Sequence, residues 1–222
     1  KDFRQIILSR DKSADSTFAI DVFTDYGLFA NQKVIKASIP KEIFVCSYKG
    51  KPGVTKLRSS DFSILGSTLV QGLDMDYMNG LATKDYLFMF DKVANRVMVL
   101  DRSSPSLIIS SYGNTGSGSG QFNTVNQMTF SGDDLFLTDN YNDRIVRLTF
   151  QSKKLLFVKS YGELGLGTTN FFAPSGVTAD QTHAWVVDDG NFRVMKFSIS
   201  TFGYVSDRRI DINTIGESTI QN

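Results

Sequence analysis

The sequence predicts an all-β chain of repeated four-stranded antiparallel sheets, and three observations carry that reading. One ten-residue pattern recurs as DKVANRVMVL from Asp91, DNYNDRIVRL from Asp139 and DDGNFRVMKF from Asp188, its aspartates 48 and then 49 residues apart. A fixed period in that range, with an apolar run on each side of a polar turn, marks a repeat architecture. Composition agrees: aromatic residues make up 12% of the 222, with 18 Phe, and Val, Ile and Thr are plentiful, which suits pleated, half-buried surfaces. The repeated unit itself contains short alternating runs and turns but no convincing helix.

In chain order, residues 1–40 are apolar enough for strands at Gln5–Leu8, Phe18–Phe23 and Lys33–Ile39, although the repeat signature is faint there. Ile43–Cys46, Val54–Leu57 and Phe62–Leu65, followed by Gly66, read as three strands of an early unit. The next unit starts near Gly80 and runs through Tyr86–Phe90, Val97–Leu100 and Leu107–Ile109 to Tyr112-Gly113. A third has Met128–Phe130, Leu135–Leu137, Arg144–Leu148 and Leu155–Val158, ending at Tyr161-Gly162. The last has Val177–Ala179, Ala184–Val187 and Arg193–Phe197, with Tyr204–Ile210 after them. Polar turns separate these strands, and Gly190 is the residue in its turn suited to positive φ.

Four antiparallel strands in a unit of 48 residues describe the blade of a β-propeller. Dividing 222 residues by that period gives about 4.6 units, so about five blades are visible, either a five-blade ring or part of a six-blade one. The organisation expected is a single propeller domain over residues 1–222, with clear repeats in 78–200 and degenerate blades in 1–77, as a segment of a longer protein.

The strings YGNTGSGSGQF (Tyr112–Phe122) with LFLTDNYNDRIVRL, and YGELGLGTTNFFAPSGVTAD (Tyr161–Asp180) with VVDDGNFRVMKF, strongly resemble the NHL repeat. That family's pattern is a glycine-rich entry, then F-x-x-P-x-G-V-A, then a strand ending in D-x-x-N-x-R-[IV]. The chain keeps Phe122 and Phe171, Pro174, Gly176, Asp139 and Asp188, Asn142 and Asn191, and Arg96, Arg144 and Arg193. It departs at Val125 and Gln127, which replace the Pro and Gly of the middle unit, and at Asp143 and Phe192, where one version of the turn has His. The resemblance implies a propeller that serves as a binding platform for proteins or RNA, with a few enzyme relatives.

Bulk properties narrow the classes. A net charge of +1 supplies no global field toward nucleic acid or an anionic membrane. Cys46 is the only cysteine, so no intrachain disulfide forms, and its apolar run reads as a core position. No stretch reaches the ~20 apolar residues of a membrane helix. The compartment stays open, with an extracellular or virion-associated setting favoured slightly over the cytoplasm. The chain starts at Lys1 rather than Met, which leaves room for a preceding segment.

The recurring pairs Asp91/Arg96, Asp139/Arg144 and Asp188/Arg193 read as structural, because a binding site needs one copy and these recur in every clear unit. A charge-assisted bond between them would hold the turn and link neighbouring units. Asp85, Asp133, Asp134 and Asp180 read as solvated hairpin corners. The Gly113–Gly120 run lacks the Lys-Ser/Thr ending and following helix of a phosphate loop and reads as a flexible crossover. The stretch Asp139–Asp143 offers oxygens for Ca²⁺, but Tyr141 stands where a loop ligand is needed. The only histidine, His183, would have to carry any His-based metal site or nucleophile triad alone.

Partner binding is therefore placed on the turns, at Tyr141, Asn142, Phe192, Asn191 and Lys92, whose aromatics are the residues an interface anchor uses. The acidic Asp139, Asp143, Asp188 and Asp189 in the same turns favour a protein or glycan partner over RNA. The reading is a non-catalytic interaction module within a larger assembly, with no catalytic residue, metal, cofactor or membrane insertion. Two alternatives compete: a structural component of a secreted filament, surface layer or virion, and a propeller-type lyase or hydrolase in which carboxylates converge on His183.

Overall fold

Alternation of apolar and polar residues, broken by Gly, Asp and Asn turns, makes strands the main regular structure among the described residues. The computed structural model describes residues 6–8, 42–47, 53–58, 60–70 and 78–210, and these form four four-stranded antiparallel sheets and one two-stranded sheet. The first sheet holds β1 (Ile6–Leu8), β2 (Glu42–Ser47), β3 (Gly53–Arg58) and β4 (Ile64–Leu69), and the second β5 (Met78–Ala82), β6 (Tyr86–Asp91), β7 (Arg96–Asp101) and β8 (Ile108–Tyr112). Short strands β9 (Asn114–Thr115) and β10 (Gln121–Phe122) follow. The third sheet is β11 (Val125–Ser131), β12 (Asp134–Asp139), β13 (Arg144–Gln151) and β14 (Lys154–Tyr161), and the fourth β15 (Pro174–Ala179), β16 (His183–Asp188), β17 (Arg193–Ser198) and β18 (Gly203–Arg209).

The all-β expectation of four-stranded units holds, with two local corrections. The first sheet takes its inner strand from β1, which pairs with β2 from Ile6↔Val45 to Leu8↔Ile43 across a long stretch of chain. The strand expected at Phe62–Leu65 begins instead at Ile64, because Phe62 sits in the preceding turn at φ 56°. Phe18–Phe23, Lys33–Ile39 and the side chain of Cys46 lie outside the described residues.

The described residues divide into two compact units, one holding those up to 116 with 151–155, the other 117–150 and those from 156 on. In the first, Phe44, Val54, Val70, Ala82, Leu87, Met89, Met98 and Leu100 form one buried cluster joining the first two sheets. In the second, Phe136 and Ile145 of the third sheet pack with Phe171, Val177, Val186, Met195, Phe197 and Phe202. Tyr161 meets Phe197 edge-on at 5.0 Å, a geometry that adds to plain area burial. Gln127, standing where the following unit has Gly176, reaches between these two sheets: its Oε1 accepts the Val177 N–H at 2.8 Å.

Candidate interaction face

The three Asp-to-Arg turns share one conformation. The fifth residue of each, Asn95, Asp143 or Phe192, is left-handed at φ 48°, 50° and 52°. Asn and Asp tolerate that region, whereas a bulky Phe there is strained. Gly190 does not take positive φ. It is required for space, since a Cβ on it would sit 2.4 Å from the Phe172 ring.

Each aspartate accepts from the Nε of its arginine, at 3.1 Å for Asp91–Arg96, 2.9 Å for Asp139–Arg144 and 2.7 Å for Asp188–Arg193. In the last two turns the same carboxylate oxygen also accepts Asn142 or Asn191 Nδ2 at 2.8 Å, and the other oxygen accepts the Asn123 or Phe172 N–H at 2.7 Å. The guanidinium ends then grip the incoming crossover. Arg144 donates to the carbonyls of Ser117, Gly118 and Gln121, and Arg193 to those of Leu166, Gly167 and Asn170, positions that match at an offset of 49. The aspartates are fully buried, and burial, the largest influence, raises the Asp139 carboxyl above its ordinary range despite its donors Asn142, Asn123 and Arg144. Each crossover beginning in Gly113–Gly120 or after Gly162 is therefore fastened at its carbonyls.

The five residues expected to bind are divided by this geometry. Tyr141 and Phe192 are exposed, at 66% and 57%. Asn142 is half-buried on Asp139, Lys92 is half-buried, and Asn191 is buried, its Nδ2 bonded to Asp188 and the Gly165 carbonyl. Asp134, read as a solvated corner, is instead paired with Arg147.

Three residues not singled out from the sequence join the exposed aromatics: Leu164, Leu166 and Phe172 at 65%, 72% and 49%. Two of them are tied to the Phe192 turn through the backbone, since Phe172 O accepts the Gly190 N–H at 2.9 Å and Leu166 O accepts from Arg193. The Ala173 N–H also donates to Asp143 Oδ1 at 2.8 Å, tying the Tyr141 turn to the same crossover. A signal for them exists in the repeat. Leu164, Leu166, Phe172 and Phe192 stand where the preceding unit has Thr115, Ser117, Asn123 and Asp143. Recurrence points to structure, and this departure from recurrence points to a use.

His183 Nδ1 lies 2.8 Å from Thr182 Oγ1, which in turn is 2.9 Å from Asp180 Oδ1. Among the described residues no three His, Cys, Asp or Glu side chains gather as a metal site, and no helix is long and apolar enough to cross a membrane.

No family model and no curated protein matches the chain. Its structure is similar to the crystal structure of the β-propeller domain of Cps50 (Swd1) from Myceliophteria thermophila, with a TM-score of 0.56 and 10% sequence identity. The match takes in 77% of this chain and 58% of that one, so this chain spans under two thirds of its counterpart's length. With the four four-stranded sheets, that likeness makes the fold a β-propeller, and each sheet a blade.

Proposed function

We propose that the chain is an NHL-like β-propeller module without catalytic activity that binds a partner protein through the apolar face around Phe192. What supports the reading is the set of four exposed apolar side chains, Leu164, Leu166, Phe172 and Phe192, that replace polar residues of the preceding repeat. Exposed apolar groups on a fastened loop lose little entropy on docking, and burying each is worth about 1.5–3 kcal/mol. Tyr141 extends the face with a phenol able to anchor an edge. The NHL assignment rests on the Asp-x-x-Asn-x-Arg turn and its carbonyl-gripping arginine, present in the last two units.

The test is a repeat swap: Leu164→Thr, Leu166→Ser, Phe172→Asn and Phe192→Asp together, which installs the residues the preceding unit already folds with. Quantitative affinity capture from the native source is compared between the wild-type chain and the swap, with circular dichroism as the control for folding. A protein retained by the wild type and lost by the folded swap supports the reading. Identical captured sets overturn it.

A further inference from the structure

The face around Phe192 departs from the preceding repeat in charge as well as in polarity. Glu163 and Asp189, both exposed, stand where that unit has Asn114 and Asn140, and Phe192 takes the place of the Asp143 carboxylate. Over the six matched positions the preceding unit carries one acid and no large apolar residue, and this one carries two acids and four apolar residues. Both changes fall on the same turn and crossover.

The backbone keeps both acids beside the apolar set. Asp189 opens the short turn capped by Phe192, and its carbonyl accepts the Phe192 N–H at 3.1 Å. The Phe172 ring lies against the intervening Gly190, where a Cβ would come within 2.4 Å of it. Glu163 precedes Leu164, and its carbonyl accepts the Phe171 N–H at 2.9 Å. Among the described residues the Glu163 carboxylate meets only the Asn170 amide, at 3.5 Å, and Asp189 has no ion-pair partner. A third acid, Asp143, is half-buried on the Ala173 N–H. The cations nearby do not neutralise them. Arg144 and Arg193 are engaged by Asp139 and Asp188. Arg208 pairs with Val194 and so lies on the sheet face turned away from Arg193, while Arg209 pairs with Arg193 and shares its side. Two free carboxylates and a half-buried third, against one exposed guanidinium, leave the rim of the apolar face negative.

Resting on the partner-binding reading above, we infer that the partner docks through a basic amphipathic segment. Its apolar side chains cover Leu164, Leu166, Phe172 and Phe192, and its Lys or Arg side chains reach Glu163 and Asp189. Charge complementarity selects this chemistry, since an acidic segment would set like charges against two carboxylates that have no cation of their own. Rim charges of this kind act mainly on the association rate and its salt dependence, whereas the apolar centre supplies the affinity.

A random peptide library displayed on phage is selected against the wild-type chain, and the enriched peptides are synthesised with a fluorescent label for anisotropy titrations. They are titrated with the wild type, with the repeat swap, and with a charge variant, Glu163→Asn with Asp189→Lys, which installs Asn114 and Lys92 of the earlier units. Circular dichroism checks each fold, and Glu163→Gln stands in if the charge variant does not fold. The expected peptides combine large apolar residues with Lys or Arg and bind the wild type more weakly as salt rises. They lose about 3- to 30-fold in affinity for the charge variant and do not bind the repeat swap. Peptides that need the four apolar residues but carry no Lys or Arg, or that bind the charge variant as well as the wild type, overturn this inference and leave the partner-binding reading standing. A selection in which no peptide distinguishes the wild type from the folded repeat swap overturns both. Self-association in sedimentation velocity, or binding to phosphatidylcholine vesicles, that the repeat swap abolishes also overturns the inference, by showing a second copy or a lipid surface as the occupant.

Discussion

At the scale of the residue, Phe192 is where stability and use conflict. A phenylalanine held at φ 52° costs about 1–2 kcal/mol relative to a residue at ease in that region, yet its ring stays exposed and gains no core packing. Phe192→Asn, which copies Asn95 at the same turn position, is expected to stabilise the chain by about 0.5–1 kcal/mol in a urea titration and to weaken partner capture. An unchanged or lower midpoint would mean that Phe192 is packed rather than offered. A second residue governs acid behaviour. Burial acts first on Glu42 and pushes its carboxyl up, but Lys56 and Arg102, at 2.7 Å each, outweigh it and hold the group below 4.5. A lowered folded value means stability that is present above 4.5 and lost as the pH falls through that lowered value. Asp139, raised by burial, has the opposite sign: its contribution is present below 3.8 and lost as the pH rises through its raised value. Glu42→Gln is therefore expected to flatten the loss of urea midpoint between neutral and acid solution, and a parallel shift of both limbs would count against this assignment.

At the scale of the element, the turn and the crossover behave as one piece because a single guanidinium joins them. Arg193 is 3% exposed and binds Asp188 and three carbonyls, with Asp207 4.0 Å away, so Arg193→Ala leaves the buried Asp188 missing a donor. Removing one partner of a buried pair costs about 3–5 kcal/mol. Hydrogen exchange should then accelerate first at Gly165 and Phe171, whose N–H groups bond within the crossover to Phe171 O and Glu163 O, before it accelerates in β16 and β17. Uniform acceleration across the fourth blade would mean the arginine supports the sheet and not the loop. The pairing was legible in the sequence because Asp and Arg recur five residues apart. The grip on the crossover was not, since carbonyls carry no sequence signature. The burial of Asn191 was hidden for a related reason: a polar residue in a polar turn reads as exposed, and only the geometry shows its Nδ2 bonded to Asp188 and Gly165.

At the scale of the whole molecule, the period of 48 to 49 residues made the blades readable wherever the turn motif survives. It failed at the first blade because that sheet borrows β1 from a distant stretch of chain, and periodicity sees only neighbours. Period also says nothing about which copy of a repeated side chain is covered, and stability depends on that. Phe44, Phe136 and Trp185 hold the same register position, yet the first two are fully buried and the third half-exposed. Truncating a buried Phe to Ala costs about 3–5 kcal/mol through lost transfer energy and the cavity left behind. Phe44→Ala and Phe136→Ala are each expected to fall in that range by urea titration followed by circular dichroism. Their clusters share no residue, so the double variant should be additive within about 0.5 kcal/mol. Trp185→Ala should cost less than either, about 1–2 kcal/mol, because its ring is only partly buried where theirs are fully buried. Three equal losses would mean that Trp185 is as enclosed as its counterparts, against its partial exposure.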